Sequence, residues 1–244
     1  MIKFSKLAVA AAAVFSLQAH AFIIDDFTVE QDAVSDTTAN GSGFWSASSA
    51  GNQPHIIGGQ RDIFVNKDGG ANVRGAVEAS ADGDGFYRFS QASDTRGTAI
   101  LRWDGNNVTP DIDQSGLGGA DLASGGNVFV FDFKSDTSNP AAPYLITIDV
   151  YDMQGDFATV TFPTEDTFGF LVPGFVGFDE FDLGAGFDWG DVGAIQVTFN
   201  TAETSAIDVD ITLGKVTTVP EPASLALTGL ALLGLGAVRR MKKA

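Results

Sequence analysis

The side chains in this sequence that could do chemistry are mostly carboxylates. Of thirty-one acidic residues, thirty lie between Phe22 and Thr218, against eight basic ones in the same interval. Cysteine is absent, which excludes disulfides, a thiol nucleophile and cysteine-ligated zinc. Histidine occurs only at His20 and His55. A serine or threonine nucleophile needs a base beside it, and His55, in Asn52-Gln53-Pro54-His55, is accompanied by no nucleophile-elbow motif. His55 is therefore expected to be an ordinary loop or strand-edge residue.

Three chemistries remain open to carboxylates and aromatics. Paired acids hydrolyse glycosides, and Glu78, Asp111, Asp113, Glu165, Asp166, Asp179, Glu180 and Asp182 offer many pairs. So many acids supply a pair by chance, and a catalytic acid also needs a desolvated pocket. A non-enzymatic role is therefore expected, with a secreted glycoside hydrolase acting on exopolysaccharide as the alternative. Hard cations take oxygen ligands from loops. Asp25 and Asp26 would meet Asp208 or Asp210 if the first and last strands pair, forming a calcium site, and Asp82-Gly83-Asp84 is a second place for one. A calcium-stabilised, purely structural surface protein is a further alternative. Sugars stack on aromatic faces, which makes Trp45, Trp103 and Trp189 the candidate glycan platforms, with Tyr87 and Tyr151 behind them. A body this acidic repels phosphate backbones, so nucleic acid is not an expected partner.

These side chains must be positioned by strands. The middle of the chain alternates with period two rather than 3.6. Tyr144, Ile146, Ile148 and Val150 share one face, as do Ile195, Val197 and Phe199, and Phe129, Phe131 and Phe133. Ala206–Leu213 alternates most cleanly, with Asp208, Asp210 and Thr212 outward, and Phe22–Thr28 reads as the first strand. Further strands are expected at 60–65, 73–79, 85–91, 98–104 and 157–162. Asp-Gly and Gly-Gly turns punctuate them, including Lys67-Asp68-Gly69-Gly70. Trp45 and Trp189 fall in loop-like context, and Thr109–Gly126 is a long glycine-rich connection. The expected fold is all-β, an antiparallel sandwich or jelly roll over residues 22–218. An opening Ile24-Asp25-Asp26-Phe27 and a closing Ile207-Asp208-Val209-Asp210-Ile211 resemble galactose-binding-like jelly-roll modules. That resemblance implies that the terminal strands pair.

Both ends carry address signals. Lys3 and Lys6, the apolar stretch Leu7–Leu17 and Ala19-His20-Ala21 make a signal peptide over 1–21, cleaved before Phe22. It implies export through the Sec translocon. At the other end, Val219-Pro220-Glu221-Pro222 precedes sixteen uncharged residues, Ala223–Val238, and then Arg239-Arg240-Met241-Lys242-Lys243-Ala244. Sixteen helical residues span about 24 Å, and the flanking cations extend the reach toward a ~30 Å bilayer core. A single transmembrane helix is expected at about 223–240, with its basic end cytoplasmic. Residues 219–244 resemble the PEP-CTERM sorting signal of Gram-negative bacteria, through Val219-Pro220-Glu221-Pro222, the apolar run and Arg239-Arg240. The resemblance implies processing by exosortase, a membrane-embedded cysteine transpeptidase. It also implies a transient inner-membrane anchor, a surface or extracellular destination, and a link to exopolysaccharide and biofilm. Replacing Pro220-Glu221-Pro222 by three alanines is expected to leave export intact and to trap the uncleaved protein in the inner membrane. Cell fractionation followed by immunoblotting checks this.

Overall fold

The computed structural model describes residues 21–39, 41–47, 53–105, 111–139, 142–164, 166–202, 204 and 206–220. The expected leader up to residue 20 lies outside these, as do Glu165, Glu221, Pro222, the apolar run 223–240 and Arg239-Arg240. Among the described residues no helix is long and apolar enough to cross a membrane.

Among the described residues fourteen strands form: β1 (Phe22–Asp25), β2 (Gln31–Asp36), β3 (Phe44–Ala47), β4 (Asp62–Gly70), β5 (Val77–Ala81), β6 (Tyr87–Gln91), β7 (Thr95–Trp103), β8 (Val128–Thr137), β9 (Tyr144–Asp152), β10 (Phe157–Thr164), β11 (Val172–Gly177), β12 (Asp182–Leu183), β13 (Val192–Asn200) and β14 (Val209–Val219). The helical pieces among the described residues are two single turns of 3-10 helix, Ile57–Gly59 and Phe178–Glu180. The first sheet runs β11-β8-β14-β6-β5-β2, and β1 also pairs with β14. The second runs β12-β10-β9-β13-β7-β4-β3. All the pairings between these strands are antiparallel, giving a two-layer sandwich. The chain crosses repeatedly between layers, so the apolar face of each strand meets the other sheet.

Alternation does what the sequence implies in β9, where Tyr144, Ile146, Ile148 and Val150 are buried and the residues between them are half-exposed. The same holds for Ile195, Val197 and Phe199 of β13. Three expectations are corrected. Lys67-Asp68-Gly69-Gly70 is not a turn but the end of β4. A bulge between Lys67 and Gly69 takes up the extra residue. The buried Lys67 ammonium donates to the Thr37, Asn72 and Gly75 carbonyls at 3.3, 3.0 and 2.7 Å. Trp45 stands on β3, not in a loop. The last strand begins at Val209 and continues to Val219, because a second bulge between Leu213 and Val216 carries it past Gly214-Lys215, where the alternation breaks. The long connection before β8 is anchored where it is described. Leu117 N–H donates to the Gly193 carbonyl (2.9 Å), Ala120 bridges Val192, and Leu122 enters the core.

Among the described residues a fully buried ion pair lies inside this core. Arg61 and Asp25 are both fully buried, and Arg61 Nη1 reaches Asp25 Oδ2 at 2.8 Å. Trp103 Nε1–H donates to the same oxygen (2.9 Å) and Phe27 N–H to Oδ1 (2.8 Å). The rest of the guanidinium donates to Gln31 Oε1 (3.0 Å) and the Val29 carbonyl (2.7 Å). Burial pushes the Asp25 carboxyl up, while Arg61, Trp103 and Phe27 pull it down. Removing one partner of such a pair leaves a naked buried charge. Arg61→Ala is expected to lose about 3–5 kcal/mol of stability in chemical denaturation.

Candidate functional site

Period-two alternation that buries Ile63, Leu101, Trp103, Val197 and Ile148 turns their neighbours to the outer face of the second sheet. Cross-strand register then aligns those neighbours in one row. Asp62 pairs with Arg102, Arg102 with Gln196, Gln196 with Asp149, Asp149 with Thr159, and Thr159 with Asp182. The row beside it is Trp45, Phe64, Ile100, Thr198, Thr147 and Thr161. On the other side, Tyr151 pairs with Phe157. An aromatic pair thus stands at each end. Trp45 and Phe64 have ring centroids 4.8 Å apart, and Tyr151 and Phe157 are 6.2 Å apart. Four inter-strand spacings separate β3 from β9, about 19 Å.

Hydrogen bonds fix the polar row. Arg102 Nε and Nη2 both donate to Gln196 Oε1, at 3.0 and 2.8 Å. The Arg102 guanidinium lies 4.3 Å from the Trp45 ring centroid, a cation–π contact. Thr159 Oγ1–H donates to Asp149 Oδ1 (2.7 Å), and the Thr147 and Thr161 hydroxyls bond each other (2.8 Å). Arg102 Nη1 lies 4.0 Å from Asp104 Oδ2, which also accepts from Asp113 N–H (2.9 Å). Asp62 and Arg102 are both buried, and neither Asp62 carboxylate oxygen has a hydrogen-bond donor. Burial pushes the Asp62 carboxyl up to about 7, with a further upward push from Asp104 and a counter-pull from Arg102. Burial also raises Asp104 and Asp149, and burial plus the Asp149 charge raise Tyr151. Aromatic edges beside a row of fixed donors and acceptors suit a ligand rich in hydroxyls and C–H faces.

The sequence candidates are dispersed. Trp103 is fully buried, with its indole N–H spent on Asp25, so it offers no platform. Trp189 stacks on Phe178 (3.8 Å between centroids, 12° between planes) among Phe129, Phe181 and Phe187, closing one end of the sandwich. Trp45 alone of the three stands on the outer sheet face. Of the companions, Tyr87 is buried and Tyr151 is on the face. The terminal strands do pair, but Asp25 faces Val216, far along β14 from Asp210. Asp26 binds His55 Nδ1 (2.9 Å), Asp210 accepts from Ser90 Oγ (2.5 Å), and Asp208 lies in the preceding loop with a left-handed backbone (φ 58°). These four carboxylates do not converge. Asp82 and Asp84 share Arg88, with Asp84 Oδ2 at 2.8 Å from Nη2. Among the described residues no group of three or more His, Cys, Asp or Glu side chains is placed to hold a metal. The acids weighed for hydrolysis are also scattered. Glu78 is on β5 of the first sheet, Asp111 and Asp113 in the long connection, Asp166 in the β10–β11 loop, Asp179 and Glu180 in a 3-10 turn, and Asp182 on β12. Asp62, Arg102, Gln196, Asp149 and Thr159 were not singled out by sequence. Their one signal is an outward place in an alternating strand.

A separate apolar cleft of ≈ 520 Å³ opens between the sheets at the β10–β11 edge, lined by Phe131, Val160, Phe162, Val172 and Phe175 among others.

Comparison with known proteins matches residues 218–240 to the PEP-CTERM protein-sorting motif. No curated protein matches the chain. Among solved structures, an agarase shares 13% identity with a TM-score of 0.42, over 60% of this chain and 22% of its own. A family 11 carbohydrate-binding module from Clostridium thermocellum, in complex with a β-1,3-1,4-mixed-linked tetrasaccharide, shares 11% identity with a TM-score of 0.34, over 79% of this chain and 96% of its own. A structure described by the promiscuous specificity of carbohydrate-binding modules of the β-sandwich superfamily shares 10% identity with a TM-score of 0.33, over 75% of this chain and 58% of its own. At such scores these likenesses decide neither ligand nor activity.

Asp62 makes stability depend on pH in a definite direction. Its carboxyl stands near 7 when folded against an ordinary 3.8. The folded state therefore holds the extra proton between those values, and stability falls as pH rises through that window. Asp62→Asn is expected to remove this fall and to exceed the parent above pH 7 by on the order of 3–4 kcal/mol. Urea melts at pH 5 and pH 8 check it, and a parent that gains stability over that interval through this residue contradicts it.

Proposed function

We propose that the chain is an exported cell-surface or matrix protein that binds polysaccharide through the outer face of its second sheet and does not cleave it. The observation that carries this reading is the Asp62–Arg102–Gln196–Asp149–Thr159–Asp182 row with an aromatic pair at each end. Its length suits a polymer lying across the strands better than a single sugar. Carboxylates outnumber the one guanidinium in the row, which favours neutral glycans over polyuronates. The sorting motif at 218–240 supports the cellular half of the proposal: export through Sec, transient anchoring in the inner membrane of a Gram-negative cell, and release or attachment by exosortase. An exopolysaccharide of the producing cell, in a biofilm or floc, is the ligand this setting offers.

One observation favours a glycoside hydrolase as the second reading. Asp62 has the raised carboxyl that a general acid needs, with Asp104 close enough to raise it further. Against it, both Asp62 oxygens are enclosed.

A glycan array probed with residues 22–219 separates these readings. Retention of a neutral polysaccharide without release of reducing sugar is expected, and Trp45→Ala and Tyr151→Ala are each expected to weaken it by roughly fivefold, about 1 kcal/mol. Sugar release that disappears in Asp62→Asn establishes the hydrolase instead.

A further inference from the structure

The sheet runs directly into the sorting motif. At its end β14 is paired on both flanks. Val216, Thr217, Thr218 and Val219 face Phe131, Val130, Phe129 and Val128 of β8, while Val216, Thr217 and Thr218 face Asp25, Ile23 and Phe22 of β1. Asn127 N–H donates to the Val219 carbonyl (3.1 Å), and the fully buried Thr218 donates its hydroxyl to the Leu122 carbonyl (3.3 Å). Gly126 lies so close that a Cβ there would stand 1.9 Å from the Val219 carbonyl carbon and 2.1 Å from the Pro220 nitrogen. Its φ of 137° belongs to the region glycine favours. The wall behind the strand end is therefore backbone, tightly packed. Pro220 is the first residue past the sheet, and only Glu221 and Pro222 separate it from the apolar run. Three extended residues reach at most about 11 Å.

Two consequences follow from that short tether. While the apolar run sits in a bilayer, the end of the first sheet formed by Phe22, Val128, Gly177 and Val219 is held within about 11 Å of the membrane surface. A peptidase that binds its substrate as an extended strand needs free backbone N–H and C=O groups. Those of Val216–Val219 are engaged in the sheet, so the free chain begins at Pro220.

We infer that this end of the sandwich is the surface that docks on the membrane-embedded processing enzyme, which takes the protein as a folded body and reads the chain only from Pro220 outward. The inference rests on the sorting reading and adds to it the partner-facing surface. Phe22, the residue expected to follow signal cleavage, lies on this same surface beside Thr218. Both expected processing points therefore belong to one end of the domain.

The absence of native cysteine makes the test clean. Asn127→Cys and Asp179→Cys place a thiol on exposed positions at this end, and Ser93→Cys places one on an exposed turn at the start of β14, the opposite end. Each full-length variant is expressed in the exosortase-bearing host with an epitope-tagged exosortase and a thiol-reactive photocrosslinker. Crosslinks to the tagged enzyme are expected from Asn127→Cys and Asp179→Cys, at least about fivefold above Ser93→Cys. Equal crosslinking from all three, crosslinking from Ser93→Cys alone, or none from any overturns the docking surface. The triple alanine replacement of Pro220-Glu221-Pro222 separates the two failures. If that variant is still processed normally, the sorting reading itself fails. If its processing is blocked while the crosslinks are missing or misplaced, only the docking surface fails.

Discussion

The buried pair between Asp25 and Arg61 joins the two sheets and sets where the outer-face residues emerge. Asp25 ends β1, which is held to the first sheet by β14, while Arg61 leads into β4 of the second sheet. Trp103 of β7 completes the contact through its indole N–H. The inner partners are thus Arg61 and Trp103, and alternation obliges Asp62, Arg102 and Asp104 to point the other way. One charge contact in the core thereby places the polar row on the outside. An ion pair of this kind costs desolvation on both sides and repays it only with full hydrogen bonding. Gln31, Val29, Phe27 and Trp103 supply that bonding here.

Two charged groups of the outer row, Arg102 and Asp62, are held in opposite ways. Arg102 is shared between Gln196, the Trp45 ring and the field of Asp104 and Asp62. Asp62 has no donor, and an unsatisfied buried carboxylate is costly, which is why its proton is held so firmly. Sites that bind are where such unmet requirements are tolerated. In the first sheet the corresponding outward acids find partners on the spot, as Asp210 does with Ser90, and Asp82 and Asp84 do with Arg88.

Much of the fold was legible because period-two alternation is written directly in β9 and β13. The end of β14 was not, since the bulge at Gly214-Lys215 interrupts the pattern and only pairing with β8 and β1 shows that the strand continues. The turn expected at Lys67-Asp68-Gly69-Gly70 failed for a related reason. Turn-forming residues were absorbed into a strand because Lys67 satisfies three carbonyls from within. The site was legible only in its chemistry. Trp45 and Tyr151 could be named as aromatics, but Arg102 and Gln196 are 94 residues apart in sequence, and their contact depends on register across β7 and β13. Residue type says nothing of which way a side chain faces, so the sequence could not separate the core-packed Trp103 and Trp189 from Trp45 on the outer face. The terminal strands do pair, but of the four aspartates expected to gather there only Asp25 and Asp210 lie on them, and the register sets Asp25 against Val216, away from Asp210.

The two ends of the chain meet the domain at one place, where β1 and β14 lie side by side, and the polar row runs across the other sheet. On the proposed function, sorting and ligand binding use different surfaces of the same sandwich. The most direct test of the proposed binding surface is an NMR titration of isotope-labelled residues 22–219 with neutral oligosaccharides. Chemical-shift changes concentrated at Trp45, Arg102, Asp149, Thr159 and Gln196 are predicted. Changes confined to the first sheet or to the cleft at the β10–β11 edge would contradict it.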